Sequence, residues 1–289
     1  MTSVGQQTAP NLSSDAPNGV TYAYRRFGNT ETTRPPLLCL QHYRGTLDNW
    51  DPLFIDAVAE HGEVILLDNA GVGGSTGTVP RTVTAMARDA IVFVDALGLE
   101  LVDVLGFSLG GMVAQELTLL RPWQVRRLIL AGTAPRGGGH QTHGWTYDIF
   151  RASQAEPTGP EDFLHIFFDV TETSRAKGMD YLGRFLSRAE NGDADNGPEV
   201  ARAQYDAVVE WGIPEPSKLR RLAGITQPTL VANGMNDTMI PSINSQLLAD
   251  NIPNARLRLY PDAGHGFFFQ YPGEFAALVG EFLGAPTIV

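Results

Sequence analysis

Along this chain, short continuous apolar runs alternate with longer stretches in which apolar residues recur every three or four positions. The runs at 36–41, 64–67, 101–105, 125–131, 228–233 and 256–260 have the length and continuity of strands buried on both faces. A weaker alternation over 20–27 predicts an antiparallel edge strand. Helical spacing occupies 50–60, 112–120, 242–250 and 272–283, the last with Phe275, Leu278, Val279 and Phe282 on one face. Another helix runs from the Pro80/Thr82 region to about Leu97 and is closed by Gly98. Strands alternating with helices predict an α/β fold, a mostly parallel central sheet with helices on both faces.

One interval breaks this rhythm. Residues 132–227 separate two consecutive sheet strands, whereas a parallel crossover needs only about a dozen residues or somewhat more. A structureless loop of that length does not fit a compact domain. The interval carries its own helical patterns at 144–153, 160–169, 175–190 and 199–211. It predicts a helical cap, residues 136–220, inserted at the carboxyl edge of a core made of 19–135 and 221–289. The glycine-rich stretch 136–143 would be its flexible entry and 191–197 an internal loop. Residues 1–18 are polar and predict a flexible N-terminal leader.

Composition narrows the function classes. The 289 residues suffice for a large core. The net charge is −11 and no basic cluster occurs, which argues against nucleic acid or an anionic membrane as partner. A small-molecule substrate is the expected partner. The single cysteine, Cys39, lies in an apolar run, so there is no disulfide framework. No apolar stretch is long enough to span a bilayer and no secretory signal pattern opens the chain, so the cytoplasm is the expected location.

The candidate chemistry centres on Gly106-Phe107-Ser108-Leu109-Gly110, placed between an apolar strand and a helix. A serine in so tight a strand–turn–helix junction is lifted above the carboxyl end of the sheet. Its neighbours two positions away must lack side chains, and Gly106 and Gly110 do. Gly73-Gly74-Ser75-Thr76-Gly77 matches the same pattern but lies in a turn-rich loop with Pro80 before the next helix, so Ser75 is read as a loop residue. That loop also fails the dinucleotide fingerprint, with Thr76 where a third glycine belongs.

A nucleophilic serine needs a base, and the base an orienting acid. His265 follows the last strand, and Asp237 lies on the loop after the preceding one. Asp262, three residues before His265, reads as a turn former. The loop after 125–131 offers Gly132 and Thr133 but no carboxylate. His140 and His143 have a metal-like spacing but lack nearby carboxylates or cysteines, and no metal site is assigned.

With its serine, acid and base in that order at three topologically matching positions, the sequence resembles the α/β-hydrolase superfamily from about Gly19 to Leu283. It looks most like the capped esterase, non-haem haloperoxidase and carbon–carbon hydrolase branches. The resemblance implies an α/β-hydrolase fold with Ser108 as nucleophile, His265 as base and Asp237 as its orienting acid. His42-Tyr43-Arg44 stands where family members often have His-Gly-x, with Tyr43 replacing the glycine. By that alignment the backbone N–H groups of Arg44 and Leu109 would form the oxyanion hole. The side chain of Arg44 is open to two roles, gripping a substrate carboxylate or pairing with Asp48, Asp51 or the cap.

The implied reaction is acyl transfer through an acyl-enzyme, with no cofactor and no metal. Tyr43, Phe150, Phe167 and Trp211 are the candidate pocket residues, whereas Phe267, Phe268 and Phe269 read as core. The expected substrate is a small or medium, fairly apolar carboxylic ester or lactone. The alternative is a carbon–carbon hydrolase or perhydrolase using the same residues. A ligand-binding receptor on the same fold is a third reading, against which the complete triad argues.

Overall fold

The computed structural model describes residues 4–138, 145–156, 158–185, 192 and 196–285. In chain order its principal elements are β1 (Leu12–Asp15), β2 (Thr21–Gly28), β3 (Leu37–Leu40), α1 (Pro52–Ala59), β4 (Glu63–Leu67), α2 (Val83–Ala96), β5 (Val102–Phe107), α3 (Leu109–Leu120) and β6 (Val125–Ala131). There follow α4 (Tyr147–Ser153), α5 (Pro160–Phe167), α6 (Glu172–Phe185), α7 (Pro198–Gly212), β7 (Thr229–Gly234), α8 (Ile243–Asn251), β8 (Ala255–Tyr260), α9 (Phe267–Gln270) and α10 (Pro272–Gly284).

The strands form one eight-stranded sheet in the order β1-β2-β4-β3-β5-β6-β7-β8. From β4 to β8 every pairing is parallel, and β1 and β2 add an antiparallel edge. Helices cover both faces, with α1 packed on α10 and α2 on α3. Strands β3 and β5 are buried along their whole length, which is why their sequences show no polar alternation. Helix boundaries follow local chemistry. Asp51 caps α1 by accepting from the Leu53 N–H, with Pro52 in the first turn. Thr82 caps α2 through the Ala85 N–H, and Gly98, at φ +67°, turns the chain away after it.

Two expectations at the N-terminus are corrected. Residues 1–18 are not simply a leader: Leu12–Asp15 pairs with β2 in register from Leu12–Tyr24 to Asp15–Thr21. Ala9 is buried, and Gln6 binds the Leu47 carbonyl through its amide and Asp56 through its backbone N–H. Strand β2 is therefore not the edge. An outer strand is held by its backbone on one side only, so the polar side chains of Ser13 and Ser14 do not prevent pairing.

Between β6 and β7 the described residues contain four helices, α4 to α7, and a 3-10 segment at Pro216–Gly224. His140, His143 and most of the expected 191–197 loop lie outside the described residues. No helix among the described residues is long and apolar enough to cross a membrane.

Candidate active site

Ser108 sits between β5 and α3 with φ +56° and ψ −118°, a conformation that L-residues rarely adopt. Two close approaches enforce it. A Cβ on Gly106 would overlap the Gly110 carbonyl, and one on Gly110 would overlap the carbonyl oxygen of Leu40. Gly110 thus lets the start of α3 press against the end of β3, beside the turn at 42–44. The turn is fixed from behind by Thr133, whose hydroxyl donates to the Ser108 carbonyl at 2.7 Å.

The Ser108 Oγ lies 2.9 Å from His265 Nε2, and His265 Nδ1 lies 2.7 Å from Asp237 Oδ2. Because the carboxylate only accepts, Nδ1 is the donor in that contact, and Nε2 faces the serine hydroxyl. Asp237 is held at its other oxygen, which accepts from the N–H groups of Met239 and Ile240 at 2.8 Å each. All three side chains are buried. The ring of Phe107 lies 5.0 Å from that of His265, making one wall apolar.

The other serine motif is structural. Ser75 Oγ donates to the Asp68 carbonyl at 2.8 Å and accepts from the Ala23 N–H at 2.9 Å. Asp262, at φ +51°, accepts from the hydroxyls of Thr171 and Thr173, which tie the insertion to the loop before His265. Two further bonds join these segments: the Gly266 N–H donates to the Phe167 carbonyl, and Asn236 donates to Asp169.

The expectation for Arg44 as an oxyanion donor is corrected. Its backbone N–H already donates to Gln204 Oε1 at 2.6 Å. With φ +58° at Arg44, the turn directs this N–H toward the insertion. The preceding N–H, of Tyr43, has no partner among the described residues, nor has that of Leu109 at the start of α3. The guanidinium of Arg44 is also occupied, donating to the carbonyls of Ser153 and Ala155 and pairing with Glu156 at 3.4 Å. Of its two roles the structure has the pairing with the insertion, because those carbonyls and Glu156 converge on it.

The expected pocket residues separate. Phe167 reaches the triad, its ring centroid 5.9 Å from that of His265. Tyr43 is spent on the insertion: its hydroxyl donates to the Ala201 carbonyl and accepts from Gln154. Burial pushes its phenol pKa up to about 12. Phe150 joins Tyr205, Trp145 and Tyr43 in a run of ring contacts. Trp211 is corrected as a pocket wall. Its indole N–H binds the Ala134 carbonyl, and the guanidiniums of Arg136 and Arg221 lie within 6 Å of its ring, so the ring is committed to cation–π packing. Phe267, Phe268 and Phe269 are fully buried core.

Two residues of the site were not singled out from the sequence for what they do. His42 is buried, with its ring edge-on to Phe107 and Phe167, and burial lowers its pKa to about 4. Gln204 is fully buried on α7 and closes over the 42–44 turn. A histidine directly after a buried strand was a signal for the first; nothing local marks Gln204 among the polar residues of its helix.

The chain is similar to known proteins over most of its length. An alpha/beta hydrolase fold protein from Chitinophaga pinensis superposes with a TM-score of 0.91 at 41% identity, covering 98% of this chain and 100% of that one. A hydrolase from Pseudomonas aeruginosa superposes with a TM-score of 0.74 at 29% identity, covering 95% and 98%. A putative carbamate hydrolase, RutD, from Caulobacter is 31% identical over 241 residues, 81% of this chain and 85% of that protein. The sequence profile of the alpha/beta hydrolase fold matches residues 35–272, and with it the chain belongs to the α/β-hydrolase family.

Proposed function

We propose that the protein is a serine hydrolase of small or medium, fairly apolar carboxylic esters or lactones. The observation that carries this is the continuous hydrogen-bonded line from Ser108 through His265 to Asp237. His265 takes the Ser108 proton as Oγ attacks the carbonyl carbon. The tetrahedral oxyanion is met by the open N–H groups of Leu109 and Tyr43. Protonated His265 then gives its proton to the leaving alkoxide, and water repeats the sequence to free the acid. Asp237 holds the imidazole tautomer and supports its positive charge. The helices inserted within 136–220 act as a cap, supported by the contacts of Phe167, Gln204 and Ala201 with His265, Arg44 and Tyr43. The buried lone thiol of Cys39 fits a cytoplasmic enzyme.

Carbon–carbon cleavage by the same residues is disfavoured on one point. It releases a carbanion and calls for a cationic grip on an acidic substrate, and the nearby Arg44 is already spent on Ser153, Ala155 and Glu156. A carbamate, named for one relative, is cleaved by the same acyl chemistry. The test is a series of chromogenic short-acyl esters together with fluorophosphonate labelling. Turnover with label on Ser108 is expected. Absence of turnover on any ester or lactone, or label on Ser75, overturns the assignment.

A further inference from the structure

Two buried side-chain atoms at the 42–44 turn have no hydrogen-bond partner among the described residues, and they are of opposite kind: His42 Nε2 and Gln204 Nε2. Their roles are fixed by what the other end of each side chain does. His42 Nδ1 lies 2.8 Å from the Tyr43 carbonyl, which only accepts, so Nδ1 carries the proton and Nε2 presents a lone pair. The low pKa keeps that ring neutral at ordinary pH. Gln204 Oε1 accepts from the Arg44 N–H, so its Nε2 is the donor end.

Topology places His42 at the same sheet edge as Ser108. Leu40 and Gly106 are register partners on adjacent parallel strands. His42 lies two residues beyond Leu40 and Ser108 two residues beyond Gly106, so both stand past the carboxyl ends of neighbouring strands. The ring of His42 also shares two aromatic neighbours, Phe107 and Phe167, with that of His265. Gln204 reaches the same turn at the Arg44 N–H, one residue along the chain from the open N–H of Tyr43. A buried acceptor and a buried donor left unmatched both cost the fold stability, and a ligand group that matches them recovers it.

We propose that His42 and Gln204 form a polar subsite that selects acyl substrates bearing a secondary amide beside the reacting carbonyl, that is, α-acylamino esters or lactones. An amide supplies both missing partners. Its N–H donates to His42 Nε2 and its C=O accepts from Gln204 Nε2. In a trans amide these two groups point in opposite directions, so the subsite requires its acceptor and its donor to approach the amide from opposite sides. The rings of Phe107 and Phe167 then flank the apolar remainder of the acyl group.

This rests on the ester-hydrolase reading, and the experiment separates the two. Ethyl N-acetylalaninate is compared with its N-methyl amide and with a carba analogue in which CH2 replaces NH, by pH-stat at neutral pH. The native enzyme is expected to prefer the N–H substrate by about tenfold or more in kcat/KM, since a site with an unmatched buried acceptor discriminates against the analogue that cannot donate. In His42→Phe and in Gln204→Leu, the ratio is expected to fall to within about threefold of unity. Because the readout is a ratio within each variant, loss of folded protein does not mimic the result. A native ratio near one, or a preference that survives both substitutions, overturns the subsite. No hydrolysis of any of the three esters with Ser108 unreactive overturns the hydrolase reading instead.

Discussion

The ring of Phe167, at the end of α5, stacks over that of His265 with the planes 22° apart, and it meets His42 edge-on at 5.1 Å. One residue of the insertion thus touches both imidazoles. Phe167→Ala is expected to cost about 3 kcal/mol or more of stability, as for a buried phenylalanine truncated in a packed cluster. It should also shift acyl-chain preference toward bulkier esters. Denaturant unfolding measures the first effect, and kcat/KM across an acyl-length series measures the second.

Asp237 has both oxygens engaged, one by His265 and one by two backbone N–H groups. Asp237→Asn keeps the size and one acceptor, but the amide favours the other imidazole tautomer. The expected result is a fall in kcat of about 10⁴-fold with little change in melting temperature. Steady-state kinetics with a thermal scan on the same preparation checks it.

The two serines in Gly-x-Ser-x-Gly settings should behave oppositely. Ser108→Ala is expected to lower kcat by about 10⁵- to 10⁶-fold while the fold survives. Ser75→Ala should leave the chemistry intact but lose about 1–3 kcal/mol, because the Ala23 N–H it satisfies is then orphaned. Parallel unfolding and turnover measurements distinguish them.

His42 predicts a pH dependence of stability. Its pKa is lowered by burial to about 4 in the folded protein, below the ordinary 6.5 expected when unfolded. Between those values the unfolded chain binds a proton that the folded one does not, so acid favours unfolding. Its contribution is intact above pH 6.5, declines as pH falls through the window, and levels off below pH 4, a loss of about 3 kcal/mol. The unfolding free energy of His42→Phe, followed from pH 7 to 4, should be flatter by that amount.

What was legible in the sequence was what local pattern determines. The strand–Ser108–helix junction announces itself because glycine is required on both sides of the serine. His265 and Asp237 were legible because each follows a strand at the sheet's carboxyl edge, although 256–260, read as buried on both faces, is the half-exposed outer strand β8 and only β7 is buried throughout. Strand β1 was not, since a short outer strand held by backbone bonds needs no apolar signature. Nor was the true partner of the Arg44 N–H, because Gln204 arrives 160 positions later in sequence. The positive φ at Arg44 goes with an N–H directed at Gln204: a motif read by alignment names a position, but the direction of each N–H depends on turn geometry. Trp211 misled because an aromatic side chain in an inserted helix serves a pocket or an arginine equally well, and only Arg136 and Arg221 decide.

The bonds from Asp262 to Thr171 and Thr173, from Gly266 to Phe167, and from Asn236 to Asp169 all cross between the insertion and the loops that carry Asp237 and His265. The insertion is therefore not an interchangeable module. Grafting in the corresponding segment of a relative, to borrow its selectivity, would remove the outer anchorage of His265 and Asp237. Variation that retunes this enzyme has to come as point changes within a fixed frame, with Thr171, Thr173 and Asp169 kept while their neighbours drift.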